Sequence, residues 1–459
     1  MDDVQSDAWR RAVQGGEAAP RGGVGGVSFA IARVAIRHAG AVAFFEGAID
    51  AMSAGVLSHS CRVIMVLSAA VAVAPFGTAD EAGVPAADAA VLDGRDGRDL
   101  SLRLFRPEPR LRVERHAVER ARFPAVDVHT HFGIRFKGDA RKRDDYLDVM
   151  DRNGVAVCVS LDGGWGDALD DHLRSLDERH RDRFVVFANI DWRGPGRADD
   201  PATWDCQRPE FPRVAADMLA DAKRRGASGV KIFKDFGLTY RNGDGSFVRI
   251  DDERWDPIWQ ACGALGLPVL IHTADPSAFF QPIDARNERW EELHRRPQWS
   301  FHGPGFPGRD ELLEARNRVV ARHPATTFIA AHMGNDGEDL ETLGAWLDRW
   351  PNLHVDLASR INELGRQPYT ARRFLVRYAD RVLFATDGPW PEARLRLYWR
   401  FLETFDEYFP YAENEFPPQG FWNIYGVGLP DDVLRAIYHG NAARLIPGVQ
   451  ERLERAAGG

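Results

Sequence analysis

Hydrophobic residues from Ala125 onward fall into short apolar runs that alternate with stretches of helical spacing. The runs are rich in β-branched residues and almost wholly apolar, a pattern typical of strands buried on both faces. Strands that alternate with helices predict βα units, a parallel sheet and an α/β fold. Eight βα units are the number in a closed (β/α)₈ TIM-type barrel. The eight runs are AVDVHTHF, VAVCVSLDG, FVVFANID, GVKIFKDF, PVLIHTAD, TTFIAAHMG, LHVDLAS and VLFATDGP.

The main alternative is a doubly wound open sheet. In its dinucleotide-binding form, that fold carries a glycine-rich phosphate loop after its first strand. The first run of this chain ends in DVHTHFG, which is not such a loop. The barrel is therefore the predicted fold, with a short N-terminal β extension and long loops after strands five and eight.

The same pattern separates the barrel from its flanks. We predict the barrel over 125–448 and a C-terminal tail over 449–459. Short strands are predicted over 97–124, where LSLRLF and LRVERHAV alternate in hydrophobicity. Residues 1–96 are rich in Gly and Ala without a sustained period, which predicts a largely disordered leader or linker.

A signal-like segment lies within this leader. An apolar run over 63–74 follows Arg62 and precedes small residues at Gly77 and Ala79, which is the layout of a signal peptide. Cleavage of the segment 63–79 would make the protein periplasmic or secreted; a buried helix or a tail in a cytoplasmic protein is the alternative. No stretch of the sequence is apolar for long enough to predict a membrane span.

Composition narrows the classes of partner. The net charge of -9 argues against a nucleic-acid-binding protein, because no basic excess is available to neutralise phosphates. The four cysteines form no CxxC pair, which argues against a disulfide framework or a thiolate zinc module. A small-molecule substrate remains the expected partner.

Polar residues stand where the predicted strands end. In a (β/α)₈ barrel the chemistry is located at the carboxyl ends of the strands. These residues are His129 and His131 after strand one, Asp162 after strand two, Asp191 after strand three, Lys231 and Lys234 on strand four, His272 after strand five, His332 after strand six, and Asp387 after strand eight.

His129 and His131 are the first candidates for metal ligands. Side chains at i and i+2 of a strand point to the same side, so both histidines face the barrel axis or neither does. Two adjacent imidazoles pack poorly in a core but suit one ion, since imidazole nitrogen binds zinc and similar metals. Two surface histidines on a loop are the alternative. Together with His272, His332 and Asp387, however, they match a hydrolytic metal site with an open water position.

This set of residues resembles that of the amidohydrolase superfamily. The ending YHGNAARLIPG, Tyr438 to Gly448, also resembles the closing helix of its amidohydrolase-related branch, called amidohydrolase-2. The resemblance extends from about Phe123 to Gly448. That branch also contains non-oxidative decarboxylases similar to aminocarboxymuconate-semialdehyde decarboxylase and γ-resorcylate decarboxylase.

The resemblance implies a ligand set. It makes His129, His131, His272 and Asp387 the ligands of one divalent ion, with zinc the expected metal. In a one-metal enzyme His332 would be an acid/base beside the metal-bound water. In a two-metal enzyme it would bind the second ion. Enzymes of this family are often dimers or larger, so a homo-oligomer is also expected.

In the two-metal case, the resemblance also implies a bridging carboxylated lysine on strand four. Lys231 is the better candidate and Lys234 the alternative. The two lysines lie on opposite strand faces, so only one of them can point into the barrel. The inward lysine would otherwise be a cation that binds a substrate carboxylate.

Three functions follow from this site. The first is hydrolysis of an amide, ester or lactone in a small molecule, with Asp387 taking the proton of the metal-activated water and His332 or the metal polarising the carbonyl. The second is non-oxidative decarboxylation of a small aromatic or dienoic acid, with Arg135 or Arg360 holding the carboxylate. A binding protein with a relic site is the third.

Two insertions are predicted to shape the pocket. The segment 275–309 is long for a βα loop and is expected to be functional, with Trp290, Trp299, Phe301 and His302 as lid residues. After strand eight, an apolar stripe with helical spacing is expected to pack in the core or at a subunit interface. An aromatic loop follows it and indicates a planar substrate. The stripe comprises Leu397, Phe401, Phe405 and Tyr408.

Overall fold

Eight parallel strands form the centre of the fold in the computed structural model, which describes residues 93–101, 104–180, 182–414 and 418–458. They are hydrogen-bonded in chain order, from β1 to β8. The strands are β1 Ala125–Thr130, β2 Val155–Ser160, β3 Phe184–Asn189, β4 Gly229–Ile232, β5 Val269–Ile271, β6 Phe328–Ala330, β7 Leu353–Asp356 and β8 Val382–Leu383.

Helices follow the strands, as expected for βα units. Short helical turns also occur at Asp235–Leu238 and Ala331–Gly334. The helices are α1 Phe132–Phe136, α2 Ala140–Asn153, α3 Asp167–Leu173, α4 Phe211–Arg225, α5 Asp256–Leu265, α6 Trp290–Arg295, α7 Arg309–Arg322, α8 Leu340–Arg349, α9 Ile361–Arg366, α10 Pro368–Arg377, α11 Glu392–Glu403, α12 Asp431–Arg435, α13 Asn441–Leu445 and α14 Val449–Gly458.

The sheet closes between its first and last strands. The backbone N–H of Val128 donates to the carbonyl oxygen of Phe384 at 3.1 Å, and that of His131 donates to Gly388 at 2.7 Å. A parallel bridge also joins Thr130 to Gly388. The prediction of a (β/α)₈ barrel is therefore confirmed.

Two apolar clusters explain why the runs lack polar residues. Side chains such as Val157, Phe187 and Leu270 form a cluster drawn from six of the strands, which is completed by α13 and α14. A larger cluster joins the other strand faces to the surrounding helices, for example Val230 to Leu219 of α4. Each strand is buried on both faces, so both must be apolar.

The segments before and after the barrel, 97–124 and 449–459, differ in secondary structure from the prediction. Where the structure describes residues 97–124, they contain an isolated bridge from Leu100 to Asp93 but no strand, because the alternating segments have no partner strand to pair with. The C-terminal tail is instead the helix α14, whose first residue, Val449, is buried. Residues 1–92 of the predicted leader, which include the segment 63–79, lie outside the described residues.

The segment after β8 also departs from the predicted stripe. Helix α11 ends at Glu403, so Leu397 and Phe401 belong to it but Phe405 and Tyr408 do not. Phe405 is 67% exposed, which excludes it from the core. Among the helices in the described parts of the chain, none combines the length and apolarity needed to cross a membrane.

Candidate metal centre

Three ligand atoms converge at the carboxyl ends of β1 and β8. The Nε2 atoms of His129 and His131 lie 3.7 Å and 3.4 Å from Oδ1 of Asp387, and the two imidazole centroids are 5.2 Å apart. All three side chains are buried. Two imidazole nitrogens and one carboxylate oxygen at this spacing form a group that can hold a metal ion.

Buried carboxylates orient both histidines. Oδ2 of Asp356 lies 2.9 Å from Nδ1 of His129, and Oδ1 of Asp162 lies 2.6 Å from Nδ1 of His131. Because an ionised carboxylate only accepts, each Nδ1 carries the proton and each Nε2 keeps its lone pair. Burial opposes the ionisation of Asp162, but the contact with His131 brings its pKa below the ordinary value. Both rings therefore present Nε2 to the same point.

Asp356 is the functional residue that the sequence prediction missed. Its Oδ1 accepts hydrogen bonds from the backbone N–H groups of His332, at 2.8 Å, and Ala358, at 3.0 Å. Burial raises the pKa of Asp356 to about 6. Its position at the end of β7 was the available signal, since an acidic residue ends LHVD just as polar residues end the other strands.

Asp387 has one oxygen without a hydrogen-bond partner. Its Oδ2 accepts a hydrogen bond from Ser359 Oγ at 3.3 Å, but its buried Oδ1 accepts no hydrogen bond from the described residues. Burial opposes ionisation, yet His129 and His131 bring the pKa of Asp387 below its usual value. An ionised, unpartnered buried oxygen is what a metal ion or a reacting water would satisfy.

His332 also directs an unpartnered atom to the site. The residue adopts φ +58° just after β6, a conformation that is uncommon outside glycine and concentrated at functional sites. Nδ1 lies 2.9 Å from the carbonyl oxygen of Ala358 and therefore carries the proton. Burial brings the pKa of His332 well below its ordinary value. The buried Nε2 therefore keeps a lone pair that no described residue uses. The ring centroids of His332 and His129 are 4.8 Å apart.

His272 lies beside this group but is oriented differently. Its ring centroid is 4.4 Å from that of His332. Its Nε2, however, lies 2.9 Å from the carbonyl oxygen of Ala274 and 3.5 Å from Oδ1 of Asp275. A nitrogen that donates to a carbonyl keeps no lone pair for a metal. His272 is accordingly absent from the ligand groups found among the described residues, and its role as a ligand stays a prediction.

The two lysines of the fourth apolar run, Lys231 and Lys234, have different surroundings. Lys231 is buried on β4, with Nζ 3.3 Å from Nε2 of His129, and burial lowers its pKa to about 8. Lys234 lies beyond the strand and donates to Oδ2 of Asp275 at 2.6 Å. Lys231 is therefore the lysine that faces the metal centre.

A cavity of about 580 Å³ opens over the centre. His332 and Asp387 lie in its lining, together with aromatic side chains and several arginines. Arg360 is 6% exposed and donates to the carbonyl oxygen of Ser359 at 2.8 Å, and no carboxylate of the described chain forms an ion pair with it. A buried guanidinium without a counter-charge is suited to an anionic ligand.

Two residues that the sequence predicts at the pocket, Trp290 and Arg135, are not in the cavity lining. Trp290 is not in the cavity lining; it is 40% exposed and stacks on His294 at 4.4 Å between ring centroids. Arg135 is also outside the lining and donates to the backbone carbonyl of Asp387 at 2.9 Å. The roles of Trp290 and Arg135 in substrate binding therefore stay predictions.

Other aromatic residues of the long segment after β5 do reach the cavity. Trp299 and Phe301, for which the sequence predicts a lid role, belong to its lining. His302 is exposed instead, with Nδ1 at 3.2 Å from the carbonyl oxygen of Phe280. The long segment therefore contributes an aromatic wall.

Replacing Asp356 by asparagine is expected to weaken metal binding by about 10–100-fold. An amide has a single acceptor oxygen, which cannot serve both His129 Nδ1 and the two backbone N–H groups. Competition with a chromogenic chelator measures the affinity. Asp348→Asn, on the exposed face of α8, is the control and should bind the metal like the wild type. An unchanged affinity in Asp356→Asn would show that the carboxylate does not orient the ligand.

A comparison with models of protein families identifies the family of this chain. The family model described as Amidohydrolase, of the amidohydrolase-2 branch, matches residues 126–448, which is more than half of the chain. This range contains the barrel strands from Val126 onward and every residue of the metal centre described above.

The comparison with solved structures finds similar chains at low sequence identity. A 2,6-dihydroxybenzoate decarboxylase is 19% identical, with 70% of this chain and 99% of that chain covered and a TM-score of 0.43. A dihydroxybenzoic acid decarboxylase from Polaromonas sp. JS666, with bound manganese, is 18% identical, with 70% and 96% covered and a TM-score of 0.44. A 4-oxalomesaconate hydratase from Rhodopseudomonas palustris is 14% identical, with 73% and 99% covered and a TM-score of 0.41.

These likenesses are too low to transfer a substrate or a reaction to this chain. The family match is a separate finding, and the His129, His131 and Asp387 group agrees with it. The chain therefore belongs to the amidohydrolase family and is an enzyme of that superfamily, with a donor set suited to a divalent metal ion.

Proposed function

We propose that this protein is a metal-dependent hydrolase that cleaves an amide, ester or lactone bond in a small, carboxylate-bearing molecule. One observation supports this above all: His332, with its orphaned Nε2, and Asp387 line one cavity, and Asp387 forms a group with His129 and His131, with Lys231 Nζ 3.3 Å from His129 Nε2. Donors to two adjacent ions are thereby brought together. Zinc is the proposed ion, because imidazole and carboxylate ligands suit it.

The ion and the protein would supply different parts of the chemistry. When bound, a divalent ion lowers the pKa of a water molecule and polarises a carbonyl group. Asp387 Oδ1 is ionised and unpartnered, so it is placed to accept a proton from the attacking water and return it to the leaving group. His332 presents a lone pair at Nε2, which suits a second-ion ligand or a base rather than an acid.

Arg360 supports the carboxylate in the proposed substrate. Its guanidinium lies in the cavity lining next to His332, where water is largely excluded. A charge-assisted contact from guanidinium to carboxylate is about twice as strong as a neutral hydrogen bond. Arg360 would therefore hold the substrate with its reactive carbonyl towards Asp387.

The same arginine favours a second candidate function, non-oxidative decarboxylation. A carboxylate held between Arg360 and the metal centre would be the leaving group rather than a handle. Release of CO₂ from an aromatic or dienoic acid by the purified protein would establish this second function. Release of an alcohol or an amine without CO₂ would support hydrolysis.

Metal content tests the part assigned to Lys231. Elemental analysis of purified wild type is expected to find about two ions per chain, and Lys231→Ala about one, since the bridging side chain is lost. The Lys142→Ala variant, which removes an exposed lysine of α2, is the control and should match the wild type.

The other outcomes are equally informative. About one ion in both proteins would remove the bridging role, leave His332 as an acid/base and favour decarboxylation. An absence of metal in protein produced with metal supplied would overturn the proposed function in both its forms.

A further inference from the structure

Arg394 is a second cation of the cavity that no described carboxylate neutralises. It belongs to the first turn of α11, and its guanidinium carbon lies 4.3 Å from the ring centroid of Trp390. Both residues line the cavity. Within the described part of the chain, Arg394 forms no ion pair, and its known contact is with the face of this indole ring.

Two other cations in the lining, Lys234 and Arg289, are compensated by carboxylates. Lys234 donates to Asp275 at 2.6 Å, and Arg289 pairs with Glu292 at 2.8 Å and also with Glu363. Such pairs satisfy charges that are partly or wholly removed from water. Arg360 and Arg394 therefore differ from these cations, since each retains an uncompensated charge beside the cavity.

The two arginines without a carboxylate partner, Arg360 and Arg394, differ in how far they are buried. Arg360 is buried and follows Ser359, whose hydroxyl donates to Asp387 at the metal centre. Arg394 is half-buried and stands beside Trp390. An anion at Arg360 would lie beside Ser359 and the reacting centre and is called the inner anion; an anion at the more exposed Arg394 is called the outer one.

Aromatic side chains line the space around them. Phe233, Phe279, Trp299 and Phe301 belong to the cavity lining, and the rings of Phe279 and Trp299 are nearly parallel at 17°. Flat apolar walls favour a planar body between the two charged ends.

We propose that the substrate is a planar molecule with two acidic groups, of which Arg360 binds the inner and Arg394 the outer. The inference rests on the proposed function in one respect, that this cavity is the substrate site. It makes Arg394 a specificity-determining residue that selects dianions over monoanions of the same body.

Calorimetric titration of the protein as purified tests this selection without any turnover. The probes are benzoate, benzene-1,3-dicarboxylate and biphenyl-4,4′-dicarboxylate, which differ in charge and in the spacing of the two groups. At least one dicarboxylate is expected to bind the wild type about tenfold or more tightly than benzoate, since a second charge-assisted pair forms. Arg394→Gln should lose this difference and leave benzoate binding unchanged.

Arg396→Gln is the matched control. It removes the same charge from the same helix, but Arg396 pairs with Glu392 at 3.1 Å and is not in the cavity lining. This variant should prefer dicarboxylates over benzoate as the wild type does, whereas Arg360→Gln should weaken the binding of all three probes.

Three results would overturn the proposal. They are equal affinities for the three probes in the wild type, no binding of any probe, or an Arg394→Gln variant that still binds a dicarboxylate more tightly than benzoate. These results are distinguishable from failure of the proposed function. A protein that selects dicarboxylates but neither holds metal nor cleaves bonds would retain this inference and lose the hydrolase assignment.

Discussion

Asp387→Asn is expected to lower kcat by about 10²–10⁴-fold while the protein stays folded and keeps its metal. The amide cannot take up the proton of the attacking water, but it preserves the size of the side chain and the contact with Ser359. Asparagine also tolerates the backbone of this residue, which has φ +66°. The measurements are kcat on a substrate that the wild type turns over and metal per chain by elemental analysis.

The matched control is Asp380→Asn, which removes a carboxylate from the exposed segment just before β8. Its kcat should equal that of the wild type. Undiminished turnover in Asp387→Asn would exclude the proton-transfer role. Loss of metal together with turnover would show that metal binding itself requires the charge of Asp387, which belongs to the ligand group with His129 and His131.

Arg289→Met is expected to lower the free energy of unfolding by about 3–5 kcal/mol. Arg289 is 1% exposed and forms ion pairs with Glu363 of α9 and Glu292 of α6. Methionine fills similar space but leaves both carboxylates without their cation, and Glu363 then becomes an unpaired buried charge. Urea denaturation, analysed by linear extrapolation, measures the change.

Two further variants test the cause. Arg377→Met breaks an exposed pair with Asp348 and should cost at most about 1 kcal/mol. The double variant Arg289→Met, Glu363→Gln should recover part of the lost stability, because the unpaired charge is removed. A cost for Arg289→Met as small as that for Arg377→Met would show that the buried pair does not hold the segment after β5 on the barrel.

The strand ends illustrate how far sequence patterns can predict this site. Apolar runs placed His129, His131, Lys231, His332 and Asp387 at the carboxyl ends of their strands, and in a parallel barrel all these ends meet at one rim. Their proximity in the structure therefore follows from the order of strands along the chain. The missed residue, Asp356, obeys the same rule, since it ends β7.

Orientation within the site could not be predicted in the same way. The period of two in a strand gives the side on which a residue lies but not its hydrogen-bond partner. The contacts from Asp356 to His129 and from Asp162 to His131 decide which imidazole nitrogen is free. The carbonyl of Ala274 decides the orientation of His272, which no spacing in the sequence indicates.

The sequence by itself determined the (β/α)₈ barrel and the rim where chemistry occurs, because both depend on local periodicity and chain order. The tertiary structure alone decided that Lys234 is neutralised by Asp275 and that Trp290 is not in the cavity lining. It also decided that no carboxylate among the described residues pairs with Arg360 or Arg394. The physical reason is that charge compensation and access to a cavity depend on distances between residues far apart in the chain. Those distances are set by packing, which local patterns do not encode.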